Sequence, residues 1–273
     1  MASAYQEIID KVLHQLENGI VPWKMAYTYL AKSHSTRKPY SILNQLLLER
    51  PGTYWTFKQI QDAGLRIRKG SKAARCVFWK ILNVMEKDGE STNKIPYLRY
   101  YTVFHESDIE GLPEVKKDEE IADFAKADAI IANYLMMNPE ITFVEIAEAM
   151  RPPAYKPKSD VVRVHPKSYT ASEAEYYSTV FHELIHSTGH KDRLNRLTDS
   201  TDEIEEYSKE ELIAEIGSAM LCASCGIKTT IDNSAAYCAN WAKRIKDNKT
   251  WLNRCGSLAE EAIDYLLIGI EED

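Results

Sequence analysis

The run His182-Glu183-Leu184-Ile185-His186 constrains this chain more than any other. Two imidazoles four residues apart reach a single ion only from one face of an α-helix. The flanking residues agree, because Tyr176, Tyr177, Val180, Phe181, Leu184 and Ile185 recur at helical spacing. Glu183 stands one residue along from His182, placed to approach a water molecule without ligating the ion. Two unrelated histidines on a solvated helix would leave the same five letters, but they would not need the apolar stripe beside them.

A catalytic zinc site takes three protein ligands and keeps one position open. The third ligand has several candidates. Asp192 stands where the enzymes with H-E-x-x-H-x-x-G-x-x-H carry their last histidine, with Gly189 at the glycine position. His190 is four residues beyond His186, but its use requires a helix that runs on through Gly189. Glu211 is the best candidate, in the segment Glu211-Leu212-Ile213-Ala214-Glu215 of a second strong helical pattern. Glu215, one turn later on the same face, suits the support of a histidine N–H, or the exchange of roles with Glu211. With Lys209 and Glu210 alongside, an ordinary solvated face is the competing reading of that segment. Zinc in such a site, or another divalent ion, lowers the pKa of water to about 7. Glu183 is placed to take that proton and to pass it to a leaving amine. A strand expected at 160–165 precedes the motif helix and is a candidate to pair with an extended peptide substrate.

Charge divides the chain. Its formal net charge of −7 argues against a general nucleic-acid binder. Residues 1–104, however, carry 16 Lys and Arg against 8 Asp and Glu, a net of +8, and residues 105–273 carry 18 against 33, a net of −15. Opposite signs in the two parts suggest two modules with different partners. The positive charge concentrates at 37–75, where nine basic residues face only Glu49 and Asp62. Arg37, Lys38, Lys58, Arg66, Arg68, Lys69 and Lys72 interleave there with Tyr40, Tyr54, Trp55 and Phe57, with Phe78 and Trp79 just beyond. Basic residues among aromatics suit single-stranded nucleic acid, since every base has a π-face and every nucleotide a phosphate. Composition by itself equally allows the aromatics to be core and the charges a solvated face.

The expected fold class is α+β in two domains. Residues 1–112 form a small mixed α+β domain, 113–120 a linker, and 121–273 a mainly helical domain with a small sheet. Helices are expected at 5–18, 41–50 and 56–63, with strands at 74–85 and 95–104 around a polar turn. In the second domain they are expected at 121–137, 172–188, 208–225, 234–247 and 257–269, with strands at 141–145 and 160–165 around a Pro-rich loop, 152–157. No apolar run is long enough to span a membrane, and residues 1–10 lack the pattern of a secretory signal. Five cysteines without such a signal read as reduced thiols of a cytoplasmic protein, and Cys222-Ala-Ser-Cys225, on an apolar helix, as packing residues.

Longer runs carry a resemblance to a family. In the first module these are Leu16-Glu17-Asn18-Gly19, Pro22-Trp23, Pro39-Tyr40-Ser41 with Asn44, Trp55-Thr56-Phe57-Lys58-Gln59, and Arg68-Lys69-Gly70. In the second they are Tyr176-Tyr177-Ser178-Thr179, His182-Glu183-Leu184, His186-Ser187-Thr188-Gly189-His190, Arg193-Leu194-Asn195-Arg196, Glu210-Glu211-Leu212 and Ala214-Glu215. Through them the chain resembles, almost end to end, the ArdC-like antirestriction proteins of mobile genetic elements such as plasmids and phages. The resemblance implies an N-terminal single-stranded-DNA-binding domain joined to a C-terminal zincin-like metallopeptidase domain. It adds Trp23 and Asn44 to the expected DNA contacts and favours Glu211 over Asp192 as third ligand.

Overall fold

The computed structural model describes residues 4–23, 30–48, 50–85, 92–113, 122–148, 150–197, 204–228, 235–248 and 250–270. They fall into two compact units, one drawn from residues 1–11 and 29–117, the other from residues 12–28 and 118–273. Most of the expected linker, 114–120, lies outside the described residues.

The first unit is built on a four-stranded sheet of β1 (Ala31–Ser33), β2 (Gly52–Thr56), β4 (Ala74–Met85) and β5 (Thr92–His105). Their order is β1-β2-β5-β4; β1 and β2 run parallel and the other pairs antiparallel. A two-stranded ribbon pairs β3 (Arg66–Ile67) with β6 (Ile109–Glu110). The helix α1 (Ala4–Glu17) opens the chain, α2 (Ile42–Leu47) precedes β2, and α3 (Phe57–Asp62) follows it. Thr56 starts α3 through a capping box with Gln59, in which each side chain bonds the other residue's backbone N–H.

Two consecutive carboxamides of α2 treat the open sides of this sheet. Asn44 donates to the Val77 carbonyl at 2.9 Å and accepts from the Val77 N–H at 2.7 Å. Gln45 does the same for Ala31, at 2.8 and 2.9 Å. Val77 lies on one outer strand and Ala31 on the other. One short helix thus staples both edges of the sheet, which must curl for adjacent residues to reach them. Unpaired edge groups invite association with other chains, and here a side-chain amide stands in for the missing strand.

The second unit carries a small sheet of β7 (Thr142–Glu145), β8 (Ala154–Lys156) and β9 (Val161–Val164), in the order β7-β9-β8. Its helices are α4 (Phe124–Met137), α5 (Glu173–Thr188), α6 (Ile204–Ser224), α7 (Ala235–Asp247) and α8 (Trp251–Leu266). Strand β8 falls inside the segment expected to be a loop. Pro152, Pro153 and Pro157 flank it so closely that three residues leave no readable alternation. Its presence changes the role of 160–165. Strand β9 is the central strand, paired to β7 on one side and β8 on the other, so it has no edge left for a peptide. Ser172 caps α5 by accepting from the Glu175 N–H, and Glu173 and Glu175 complement the positive end of the helix. Glycine is needed where α6 crosses α5, because a Cβ on Gly217 would stand 2.8 Å from the Ile185 side chain. Helices α6 and α8 begin earlier than their apolar periods suggest, at Ile204 and Trp251.

Candidate functional site

Helix α5 brings its two histidines to one face, and α6 lays Glu211 against them. The Nε2 atoms of His182 and His186 are 3.1 Å apart. The Glu211 carboxylate puts Oε2 3.5 Å from His182 Nε2 and Oε1 3.6 Å from His186 Nε2. A tetrahedral ion with bonds of about 2.0–2.1 Å separates its ligand atoms by about 3.3 Å. The two imidazole nitrogens stand close to that spacing, and the Glu211 carboxylate presents a different oxygen to each of them, so one ion is within reach of all three side chains. Among the described residues they are the one group of three or more His, Cys, Asp or Glu side chains so gathered.

The electrostatics match that purpose. Burial alone would raise the Glu211 carboxyl, but the hydrogen bond with His182 and the nearby imidazoles take it down to about 2. Burial would lower His182, yet Glu211, Glu183 and Glu215 hold it above its ordinary value. Glu183 is only 6 % exposed. Burial pushes its carboxyl up, against the pull of His182, His186 and a backbone hydrogen bond from Tyr155 of β8. A buried carboxylate raised towards neutrality and held beside two imidazoles is suited to accept and return a proton.

The support behind His186 comes from the residue next to Glu211. His186 Nδ1 meets Glu210 Oε1 at 3.3 Å, and Arg196 grips both oxygens of that carboxylate, at 2.9 and 3.2 Å. Arg196 also donates to the Ile185 carbonyl and the Thr188 hydroxyl at the end of α5. Consecutive residues on a helix point about 100° apart. Glu211 and Glu210 thus reach opposite nitrogens of the same ring. Glu215 contributes its charge to His182 but stands outside the three-donor group. Asp192 is 69 % exposed and lies against His190, 3.6 Å from Nδ1, so neither joins the histidine pair. Glu210 was masked in the sequence by its resemblance to a surface residue. The signal that points to it is the pair Arg193 and Arg196, two arginines just past a helix whose charges need buried partners.

The loop after α5 is what delivers them. The N–H groups of Arg196 and Leu197 both return to the Gly189 carbonyl, at 2.9 and 2.8 Å. Gly189 has an ordinary helical φ of −76°. A side chain there would be crowded, since a Cβ would stand 3.0 Å from Leu197 Cγ and 3.1 Å from the Arg196 guanidinium and the His186 carbonyl. Arg193, 1 % exposed, bonds Asp160, the Tyr155 hydroxyl and the Ser187 carbonyl. It ties the β8–β9 hairpin to the end of the motif helix.

The residues expected to contact DNA are scattered more widely. Arg37, Lys38, Lys58, Arg66, Arg68, Lys69 and Lys72 are all exposed on the first unit. Arg66 pairs in register with Glu110, and Arg68 donates to the Ser107 carbonyl at 3.1 Å. Tyr40 is half-buried, packed on the cluster of Ala31, Leu48, Tyr54, Cys76 and Val103. Trp55 is buried with Ile60 and Ile109, and one face of its ring is stacked on His34 at 3.1 Å between centroids. Trp23 is fully buried in the second unit, edge-on to Trp241 at 5.5 Å. Neither tryptophan offers a face to a base as the protein stands. The Asn44 amide is spent on the edge of β4. Among the described side chains of this unit, the exposed aromatics are Phe57, Phe78 and Tyr100.

Comparison with known proteins covers both units. Residues 2–104 match the N-terminal domain of the anti-restriction factor ArdC, and residues 132–257 match a zincin-like metallopeptidase family. The crystal structure of the antirestriction ArdC protein from the R388 plasmid in its metal-free form is 31 % identical, covers 97 % of each chain and superposes with a TM-score of 0.77. Its Mn(II)-bound form is also 31 % identical, covers 99 % of this chain and 100 % of that one, and gives 0.76. A curated relative, the DNA primase TraC of Escherichia coli, is 28 % identical over 96 % of this chain. This chain spans only 27 % of that relative's length, and 20 % of a second TraC. An uncharacterised protein of Sinorhizobium fredii, y4eC, is 23 % identical over 96 % of this chain and 91 % of its own.

Proposed function

The chain belongs to the ArdC family of antirestriction proteins, with a zincin-like metallopeptidase domain, and on that premise we propose that it protects incoming DNA of a mobile element by two activities. The first domain binds single-stranded DNA. The second is a zinc-dependent peptidase acting on a protein met in the bacterial cytoplasm. The observation that carries the peptidase reading is the set His182, His186 and Glu211 gathered within reach of one ion, with Glu183 buried beside it. Structural zinc sites close with four protein ligands. Three donors among the described residues favour an open, catalytic site over a structural one.

His182, His186 and Glu211 would hold the ion, with zinc our choice and the Mn(II)-bound relative a support for a divalent metal in general. When bound, the ion supplies Lewis-acid polarisation of a carbonyl and acidifies water. Glu183 takes the proton of the attacking water and returns it to the departing amine. Glu210 and Arg196 hold the His186 ring in one orientation and tautomer. The peptide lies along β8, whose outer edge pairs with no other described strand and whose Tyr155 backbone reaches Glu183. The relative named as a DNA primase, the charge of +8 and the match to the ArdC N-terminal domain support DNA as the partner of the first domain.

The test is Glu183→Gln, which keeps every ligand but removes the proton acceptor. The variant should retain about one zinc per chain and its oligonucleotide affinity, and should lose protection of a transferred plasmid in a restricting host. Undiminished protection would show that catalysis is not needed for protection and leave DNA coating as the protecting activity.

A further inference from the structure

The buried tryptophans leave the nucleic-acid reading without its stacking platform, and the register of the sheet supplies another. Thr56 and Ala74 flank Val103 from the two sides of β5. Phe57 follows Thr56 and opens α3 where the pairing of β2 with β5 ends, and Thr102, next to Val103 on β5, pairs directly with Arg75. Tyr100 is two residues further along β5 and shares the face of Thr102. All these neighbours are exposed: Phe57 by 52 % and Tyr100 by 42 %, with Lys58, Arg75 and Thr102 also facing solvent. Phe78 is exposed too, but it lies on the opposite face of the hairpin, in the alternation that buries Cys76.

We propose that Phe57 and Tyr100 are the base-stacking pair of the first domain, with Lys58 and Arg75 taking the phosphates of a single strand. The inference rests on the DNA-binding reading above and specifies it. Two aromatic side chains about half exposed put apolar surface in contact with solvent, and the charges around them decide the ligand. An apolar protein partner would find two cations at the centre of the patch. A single-stranded polyanion finds a ring for each of two bases and a cation beside each ring. Duplex DNA, whose bases already stack on one another, offers no free π-face.

Affinity for a short fluorescent thymidine oligonucleotide tests this in the full-length protein. Phe57→Ala and Tyr100→Ala should each weaken binding by about 5- to 150-fold at constant salt, and Phe57→Tyr and Tyr100→Phe should restore it. Phe78→Ala on the other face should leave affinity within about twofold. Arg75→Gln should reduce the slope of log affinity against log salt by about 0.7, whereas the aromatic variants leave that slope unchanged. An oligonucleotide with abasic sites should bind wild type more weakly but not the double alanine variant. Thermal unfolding of each variant checks that the fold is intact. If wild type binds no oligonucleotide, the DNA reading itself fails. If wild type binds and the Phe57 and Tyr100 variants bind equally well, or Phe78→Ala carries the loss instead, the pair is misassigned while the reading stands.

Discussion

The two units bury polar groups in opposite ways. In the second, the groups behind and beyond the motif helix are charged and paired: Glu210 with Arg196 and His186, Arg193 with Asp160. In the first, those on α2 are the neutral amides of Asn44 and Gln45, which serve the backbone, and the cations of 37–75 stand at the surface. A buried ion pair is costly to assemble and strongly directional once assembled, which suits a site that must hold three donors at fixed distances. Exposed cations adapt to a flexible polyanion and need no fixed partner. One unit is organised to position atoms, the other to present a charged surface.

The largest effect that would break this contrast concerns the metal. His186→Ala should take zinc content from about one per chain to near none, read by elemental analysis after dialysis. Retained metal would move the site elsewhere. Next comes the core. Trp55→Ala should cost about 3–5 kcal/mol of stability in chemical unfolding, as a large buried ring does. A variant that kept its stability and lost DNA affinity would instead return Trp55 to the interface.

The positioning charges come third. Glu210→Gln should weaken zinc binding by about 10–100-fold in a chelator competition while leaving the stoichiometry at one. An unchanged affinity would reduce the Arg196–Glu210 pair to a structural tie. The acid response is smaller. Burial opposes ionisation of Asp160, but Arg193 and the Tyr155 hydroxyl overcome it and hold the carboxyl below its ordinary value of 3.8. The lower folded pKa means that its contribution to stability is fully present above 3.8 and is lost as pH falls below it. Acid unfolding of Asp160→Asn, compared with wild type, should therefore lose part of its slope in that window. A slope identical to wild type would show that the pair contributes no proton linkage.

The candidate metal site was legible in outline because its determinants are local. Histidines four apart and an apolar stripe specify a helix face whatever surrounds it, and the α6 pattern put a carboxylate on a second helix. Glu210 was not legible. Which of two adjacent glutamates faces a ligand and which its support depends on the rotation of α6 against α5, set by the close approach of Gly217 to Ile185. Trp23, Trp55 and Asn44 show the same limit from the other side. An aromatic among lysines has the same letters in a core and on a platform, and only the packing of Trp55 with Ile60 and Ile109 and of Trp23 on Trp241 decides between them.

The sequence by itself determined a motif helix, a two-part charge distribution and the residue types for one metal site. Those features follow from spacing along one element, where geometry is dictated by 3.6 residues per turn. Tertiary structure alone decided that Glu210 backs His186, that β9 is central and β8 an edge, and that Phe57 and Tyr100 face solvent while Trp55 does not. Each of these depends on contacts between segments distant in the chain, and such contacts leave no period to read.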